Sequence, residues 1–326
     1  MNGRIITWGV VALLLLGYLL GWYWSSEPDL YDVRARTSQV RAEQQLPDVT
    51  GLATTTAVID IAGTLLDKPG GFLSNDVLPP SVFLDNMPAW EFGALELVRD
   101  ISLVMRNELS RSQSQSTEDR DLKEAQPFFN VDRRSWVLPR AETEYRKGIK
   151  RLEAYRARLG RQGQDAATFY ARADNLREVL RMAEKRLGSY SQRLAASVGQ
   201  DRINTDLAGD PAASQSGVES GELTVKTSWW QLDDVFYEAR GYTWALLHLL
   251  KAVEQDFQPV LEDKNALVSL RQIIRELEET QQTVWSPMVL NGSGFGLLAN
   301  HSLVMANYVS RANAAVIDLK ELLSRG

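Results

Sequence analysis

The chain of 326 residues contains no cysteine, which rules out disulfides, thiolate metal sites and cysteine nucleophiles. It has two histidines, His248 and His301, and neither belongs to a His-x-x-x-His or Glu-x-x-His pair. The glycine-rich stretch Gly292-Ser-Gly-Phe-Gly296 lacks the Lys-Ser/Thr of a Walker A loop and the preceding strand of a dinucleotide fold. A phosphate loop is one reading of it, because helix amino termini attract anions. A flexible turn is the better one. Long apolar runs are scarce as well, and the single one that exists organises everything else.

That run is Ile5 to Trp24, 20 residues without a charge. At about 1.5 Å per residue it reaches about 30 Å, the thickness of a bilayer's hydrocarbon core. Trp8 stands near one end and Trp22, Tyr23 and Trp24 at the other, where amphipathic rings prefer the headgroup level. The run is longer than a signal peptide's apolar region, and Trp-Tyr-Trp-Ser-Ser-Glu-Pro follows it without a small-x-small cleavage site. It reads as an uncleaved single-pass anchor in contact with membrane lipid. The nearest rival, Trp244 to Leu250, is short, carries His248 and reads as a core helix. Arg34, Arg36 and Arg41 after the anchor outweigh Arg4 before it, which opposes export of the body. Glu27, Asp29 and Asp32 intervene, however, and long downstream domains translocate largely regardless of charge. The orientation expected is amino terminus inside and body periplasmic.

A composition of 24% charged and 44% hydrophobic residues is that of a globular body. The net charge of −6 conceals an asymmetry: Arg140 to Arg193 holds 14 Arg or Lys against 7 Asp or Glu. One segment is basic inside an acidic protein.

Residues 1–4 form a tail, 5–24 the anchor and 25–53 a polar spacer. Residues 54–139 begin the helical body. Thr54 to Leu66 has the one-face spacing of a helix, then Asp67-Lys68-Pro69-Gly70-Gly71 breaks it. Pro79, Pro80 and Pro88 keep the next stretch irregular, yet it is apolar (Phe72, Leu73, Val77, Leu78, Val82, Phe83), so it must pack onto something.

The run GTLLDKPGGFLSNDVLPPSVFLDNMPAWEFGALE (Gly63 to Glu96) resembles a bacterial family known only as a domain of unknown function, number 2333. The closing run GLLANHSLVMANYVSRANAAVIDL (Gly296 to Leu319) resembles the same family. The resemblance covers nearly the whole chain and implies a single-pass inner-membrane protein of Gram-negative bacteria. It implies no activity, cofactor or catalytic residue.

Trp90 to Ser110 reads as a helix. From Phe169 the apolar positions Ala173, Leu176, Leu180, Ala183, Leu187, Tyr190 and Leu194 form an a/d heptad seam. Tyr145, Ile149, Leu152, Tyr155 and Leu159 form a matching stripe before a turn at Gly160–Gly163. Residues 140–199 therefore read as a basic antiparallel coiled-coil hairpin protruding from the bundle. Residues 200–224 read as a flexible loop and 225–326 as the rest of the body, opened by a capping box at Ser228–Gln231. The fold class expected is all-α.

Site candidates are sparse. A zinc site joining a histidine to Asp233, Asp234 or Glu238 fails on distance, since Asp234 and His248 lie about 21 Å apart along one helix. Asp67, Lys68, Asn75 and Asp76 are the most suggestive polar cluster, with helix-capping turns the simpler account. No catalytic, metal or cofactor residue is assigned, and no cofactor. The leading functional reading is a scaffold or adaptor of the cell envelope, with the basic segment 140–193 as a protein-binding arm. Nucleic acid is not expected, because no aromatic residues interleave the basic face. The competing reading is a membrane-proximal hydrolase or transferase using Asp67, Asp76 or His301. Gly17 and Gly21 form a small-xxx-small pair, for which a weak homodimer through the anchor is the expectation.

Overall fold

A computed structural model describes residues 2–112, 117–163, 165–202, 223–286, 288–293 and 297–325. Among these are eleven α-helices: α1 (Asn2–Trp24), α2 (Val33–Glu43), α3 (Leu52–Asp67), α4 (Asn86–Val104), α5 (Arg120–Phe129), α6 (Ala141–Arg158), α7 (Ala173–Ala195), α8 (Leu232–Asp256), α9 (Gln258–Asp263), α10 (Leu267–Glu279) and α11 (His301–Ser324). The all-α expectation holds. The ends of the long loop pair as a short antiparallel ladder, Gln200–Arg202 with Leu223–Val225. Residues 203–222 of that predicted loop lie outside the described residues, as do Gly294, Phe295 and Gly296 of the predicted glycine turn.

The centre of the body is α8. Apolar on nearly every side, it is buried all round, as such a helix must be. It packs most closely on α4, with α3, α10, α7 and α2 around it. The α4–α8 contact is backbone against backbone. A β-carbon on Gly93 would stand 1.9 Å from the Glu238 carbonyl oxygen, and one on Gly241 would stand 2.0 Å from that of Trp90. Trp90 and Trp244, both buried, flank the crossing with ring centres 5.1 Å apart. At the far end of α8 the Asp256 carboxylate accepts from the amides of Gly51 (2.8 Å) and Thr54 (2.6 Å), capping α3 from another helix.

The coiled-coil hairpin is a correction. Helix α7 buries the whole heptad seam from Leu176 to Leu194, but mainly against α11. Lys320 pairs with Glu184, and Asn313 lies against Gly188, which sets the two antiparallel. Helix α6 packs instead on α5 and α3, with Phe129 seated over Gly148. Periodicity identifies the buried face of a helix but not the partner that covers it. Neither helix protrudes.

The segment read as a spacer is also part of the body. Residues 33–43 form α2, whose Val33 and Val40 are buried against the bundle. Between α1 and α2 the chain is strapped to α8. Glu27 pairs with Arg240 at 2.6 Å, the Asp29 carbonyl accepts from the Trp244 indole, and the Tyr31 amide donates to His248 Nε2 at 3.2 Å. The capping box does not form either. Ser228–Gln231 makes a single turn of tight helix in which the Ser228 side chain caps nothing.

Helix α1 is long and apolar enough to cross a membrane, and it is almost wholly exposed. Its last turn touches the body. Gly21 meets Pro80 and Leu84, and Trp24 lies across Gly70, whose left-handed backbone (φ 83°) leaves room for the indole. The Gly21 face is thus occupied by the proline-rich loop, and only Gly17 of the small-xxx-small pair remains open.

Alanine at Gly93 or Gly241 must push α4 and α8 apart. Each substitution is expected to cost at least the 1–3 kcal/mol typical of overpacking, roughly, with the double variant failing to fold. Chemical unfolding of the full chain in detergent measures this; a wild-type midpoint for either single variant would contradict the crossing.

Candidate functional site

The ends of six helices converge at the pole where α1 meets the body, and a cleft of about 1040 Å³ opens there. Its walls are the loop after α3, the first turns of α4 and α8, the loop before α6, and the end of α7. Charged groups of both signs face it: Asp76, Asp85, Asp234 and Glu238 against Arg133, Arg134, Arg193 and Lys226.

One buried ion pair fixes this wall. Lys68 Nζ lies 2.6 Å from Glu91 Oε1, with both side chains out of solvent. Lys68 also donates to the Gly71 carbonyl at 2.5 Å. The Glu91 carboxylate accepts from the amides of Leu73 and Ser74, each at 2.8 Å, and from the Ser74 hydroxyl at 2.5 Å. Burial pushes the Glu91 carboxyl upward in pKa, and Lys68 with the two amides opposes that rise. The loop is folded around a carboxylate that satisfies its backbone.

Opposite it, Arg193 binds Glu238 through two hydrogen bonds of 2.7 Å. Arg133 stacks over the Phe92 ring at 4.5 Å and donates to the Pro88 carbonyl at 3.1 Å. Burial, then its neighbour Arg134, lowers the Arg133 pKa. Burial, then the carboxylates of Asp233 and Asp85, raises that of Asp234. Of the lining hydroxyls, Ser81 donates to the Leu78 carbonyl (2.9 Å), Thr227 to that of Arg193 (3.4 Å) and Ser74 to the Glu91 carboxylate. Such a cleft can hold a polar or mixed-charge group.

The residues suggested by sequence are dispersed. Asp67 pairs with Arg146 at 2.7 Å on the rim of a second cleft of about 860 Å³. Asp76 lines the first cleft, while Asn75 is buried and donates to Glu142 (2.7 Å) and the Ser135 carbonyl (3.0 Å). His301 accepts through Nδ1 from the Leu290 amide at 3.0 Å, at the start of α11. Of the suggested Asp67, Asp76 and His301, the first two line different clefts and His301 lines neither of them. His248 is a core residue, stacked 4.1 Å from the Tyr31 ring with Nδ1 donating to the Trp244 carbonyl.

The basic segment is largely neutralised within the molecule. Arg158 meets Asp119 and Asp121, Arg186 meets Asp100 and Glu96, and Arg151 meets Glu124. Its excess charge answers acids on α4, α5 and α8. Glu91 was missed from sequence, although the spacing held a signal, and Glu238 was weighed there only as a zinc ligand. Glu91 shares the buried face of Met87, Trp90, Ala94 and Leu95, where an acid needs a partner.

Fold and cleft together define an all-helical body carrying one amino-terminal apolar helix of membrane-spanning length. A family model described as an uncharacterized protein conserved in bacteria (DUF2333) matches residues 2–326, and the chain belongs to that family. No curated protein and no solved structure matches.

Two outcomes follow. Lys68→Met, which leaves Glu91 buried without its cation, is expected to cost about 3–5 kcal/mol of unfolding free energy. Adding Glu91→Gln should recover part of that loss; no recovery would mean that the pair is not coupled.

His248 is held down to about 4 by burial. Neutral imidazole therefore stabilises the fold fully above its unfolded value of about 6.5, and that contribution drains away as pH falls toward 4, about 3 kcal/mol in all. Urea titrations at stepped pH should show this slope in the wild type and lose it in His248→Gln.

Proposed function

We propose that the chain is a single-pass inner-membrane protein whose helical body stands in the periplasm and acts as a scaffold through protein contacts. The observation that carries this is the junction between α1 and the body. Gly21 and Trp24 of α1 are seated on the loop after α3, and Glu27, Asp29 and Tyr31 are strapped to α8. An apolar helix joined so directly holds the body at a fixed height and attitude, as a scaffold requires. The satisfied ion pairs of the body are equally those of a structural element. The outer faces of α6 and α7, with exposed Lys150 and Lys185, are the surfaces offered to a partner.

Two measurements test the reading. A reporter active only in the periplasm, fused after Gly326, should be active; activity of a cytoplasm-only reporter instead would reverse the topology. A photo-crosslinking residue at position 150 or 185 should capture a discrete protein in cells. Capture no greater than from a control lacking the body would remove the scaffold role.

A further inference from the structure

The pole from which α1 emerges exposes large apolar side chains. Outside α1 the protein has four exposed tryptophans: Trp136 and Trp285 in loops, and Trp229 and Trp230 in the tight turn before α8. The remaining tryptophans of the body, Trp90 and Trp244, are buried. Beside the exposed four stand Leu78, Phe83 and Leu138, at 72%, 77% and 92% exposure.

Four loops share this end of the bundle, and contacts tie them together. The loop after α3 reaches the loop before α6 through Asn75 and the Ser135 carbonyl. Both line the polar cleft with the Ser228–Gln231 turn. The loop after α10 begins where Arg240, paired with Glu27 just beyond α1, binds the carbonyls of Thr280 and Gln282.

Their depth follows from α1. Pro80 and Leu84 rest on Gly21, in the last turn of that helix and beside Trp22 and Tyr23. If α1 spans, this is the level at which its interfacial aromatics sit, and the loop carrying Leu78 and Phe83 shares it. Large exposed apolar patches on a soluble surface call for a cover, and tryptophan favours the headgroup boundary.

We propose that this pole is seated in the membrane interface, with the four loops forming an apolar collar around the exit of α1. The occupant of the patch is the lipid of the bilayer that α1 crosses. The inference rests on α1 spanning, as proposed above. Asp76, Asp85, Arg134 and Lys226 give the rim both signs of charge, so the seat is apolar rather than electrostatic. It should survive salt of about 0.5 M, where exposed charges are largely screened.

Because the chain has no cysteine, single labels can be placed without background. Full-length protein carrying Leu14→Cys, Phe83→Cys, Leu138→Cys, Trp230→Cys or Val268→Cys is spin-labelled and reconstituted in phosphatidylethanolamine–phosphatidylglycerol vesicles. Accessibility to oxygen and to a water-soluble nickel relaxer then reports depth. Labels at 83, 138 and 230 should favour oxygen, in low and high salt alike. The label at 268, on the opposite end of the bundle, should favour nickel. Nickel accessibility at 83 and 138 equal to that at 268, with the label at 14 immersed, overturns the collar and leaves the anchor standing. Nickel accessibility at 14 overturns the anchor and the collar with it. Spin–spin broadening at 83 that persists on dilution with lipid would assign the patch to a second copy and also overturn the proposal.

Discussion

Two glycines hold the centre of this protein. Where α4 crosses α8, Gly93 and Gly241 let main chains approach so closely that no side chain fits between them. The interaxial distance is thereby set, and with it the depth at which the tilted rings of Trp90 and Trp244 meet. Every other helix of the body is placed by reference to that pair. Helix α3 lies against both α4 and α8, α10 and α2 lie along α8, and α7 bridges α8 to α11. Close crossings of this kind are intolerant because interiors are packed to crystal density and cannot absorb even one methylene without displacement.

Around that centre, charge is used for registration. Lys68 with Glu91, Arg193 with Glu238 and Arg240 with Glu27 each join a loop or terminus to a helix at one buried or half-buried point. Pairs so placed add little net stability, since desolvation offsets attraction. Breaking one leaves an uncompensated charge, so each strongly disfavours any other arrangement of the loop it holds. The loops around the cleft are thereby held in one arrangement, although most of them are irregular backbone.

Much of this was legible in the sequence. The apolar run of α1, the core helix containing Trp244 to Leu250, the helix ending at Leu66 and the buried seam of α7 follow from composition and period alone. What period cannot carry is the identity of the neighbour. Helix α7 has the heptad of a hairpin and spends it on α11, far along the chain, because a seam of Leu and Ala is complementary to any similar seam. The segment 25–43 looked like a spacer because its contacts are few and specific (Glu27, Asp29, Tyr31, Val33, Val40) rather than periodic. The internal pairing of the basic stretch is not legible in the sequence, because its acid partners are scattered over α4, α5 and α8. Sites were hardest of all. Asp67 and Asp76, nine positions apart, point into separate clefts, and the acids that organise the pole are buried among apolar neighbours.

The strap between α1 and α2 has one more consequence. A tethered domain on a flexible linker samples a hemisphere whose radius grows with the square root of linker length. Here no such linker exists, since residues 24, 27, 29 and 31 are each pinned to the body. If α1 spans a membrane, as proposed above, the search volume of the body collapses from a hemisphere to a thin sheet parallel to the plane that α1 crosses. Encounters then depend on lateral diffusion and on rotation about a single axis. Any partner must present its own surface at that one height.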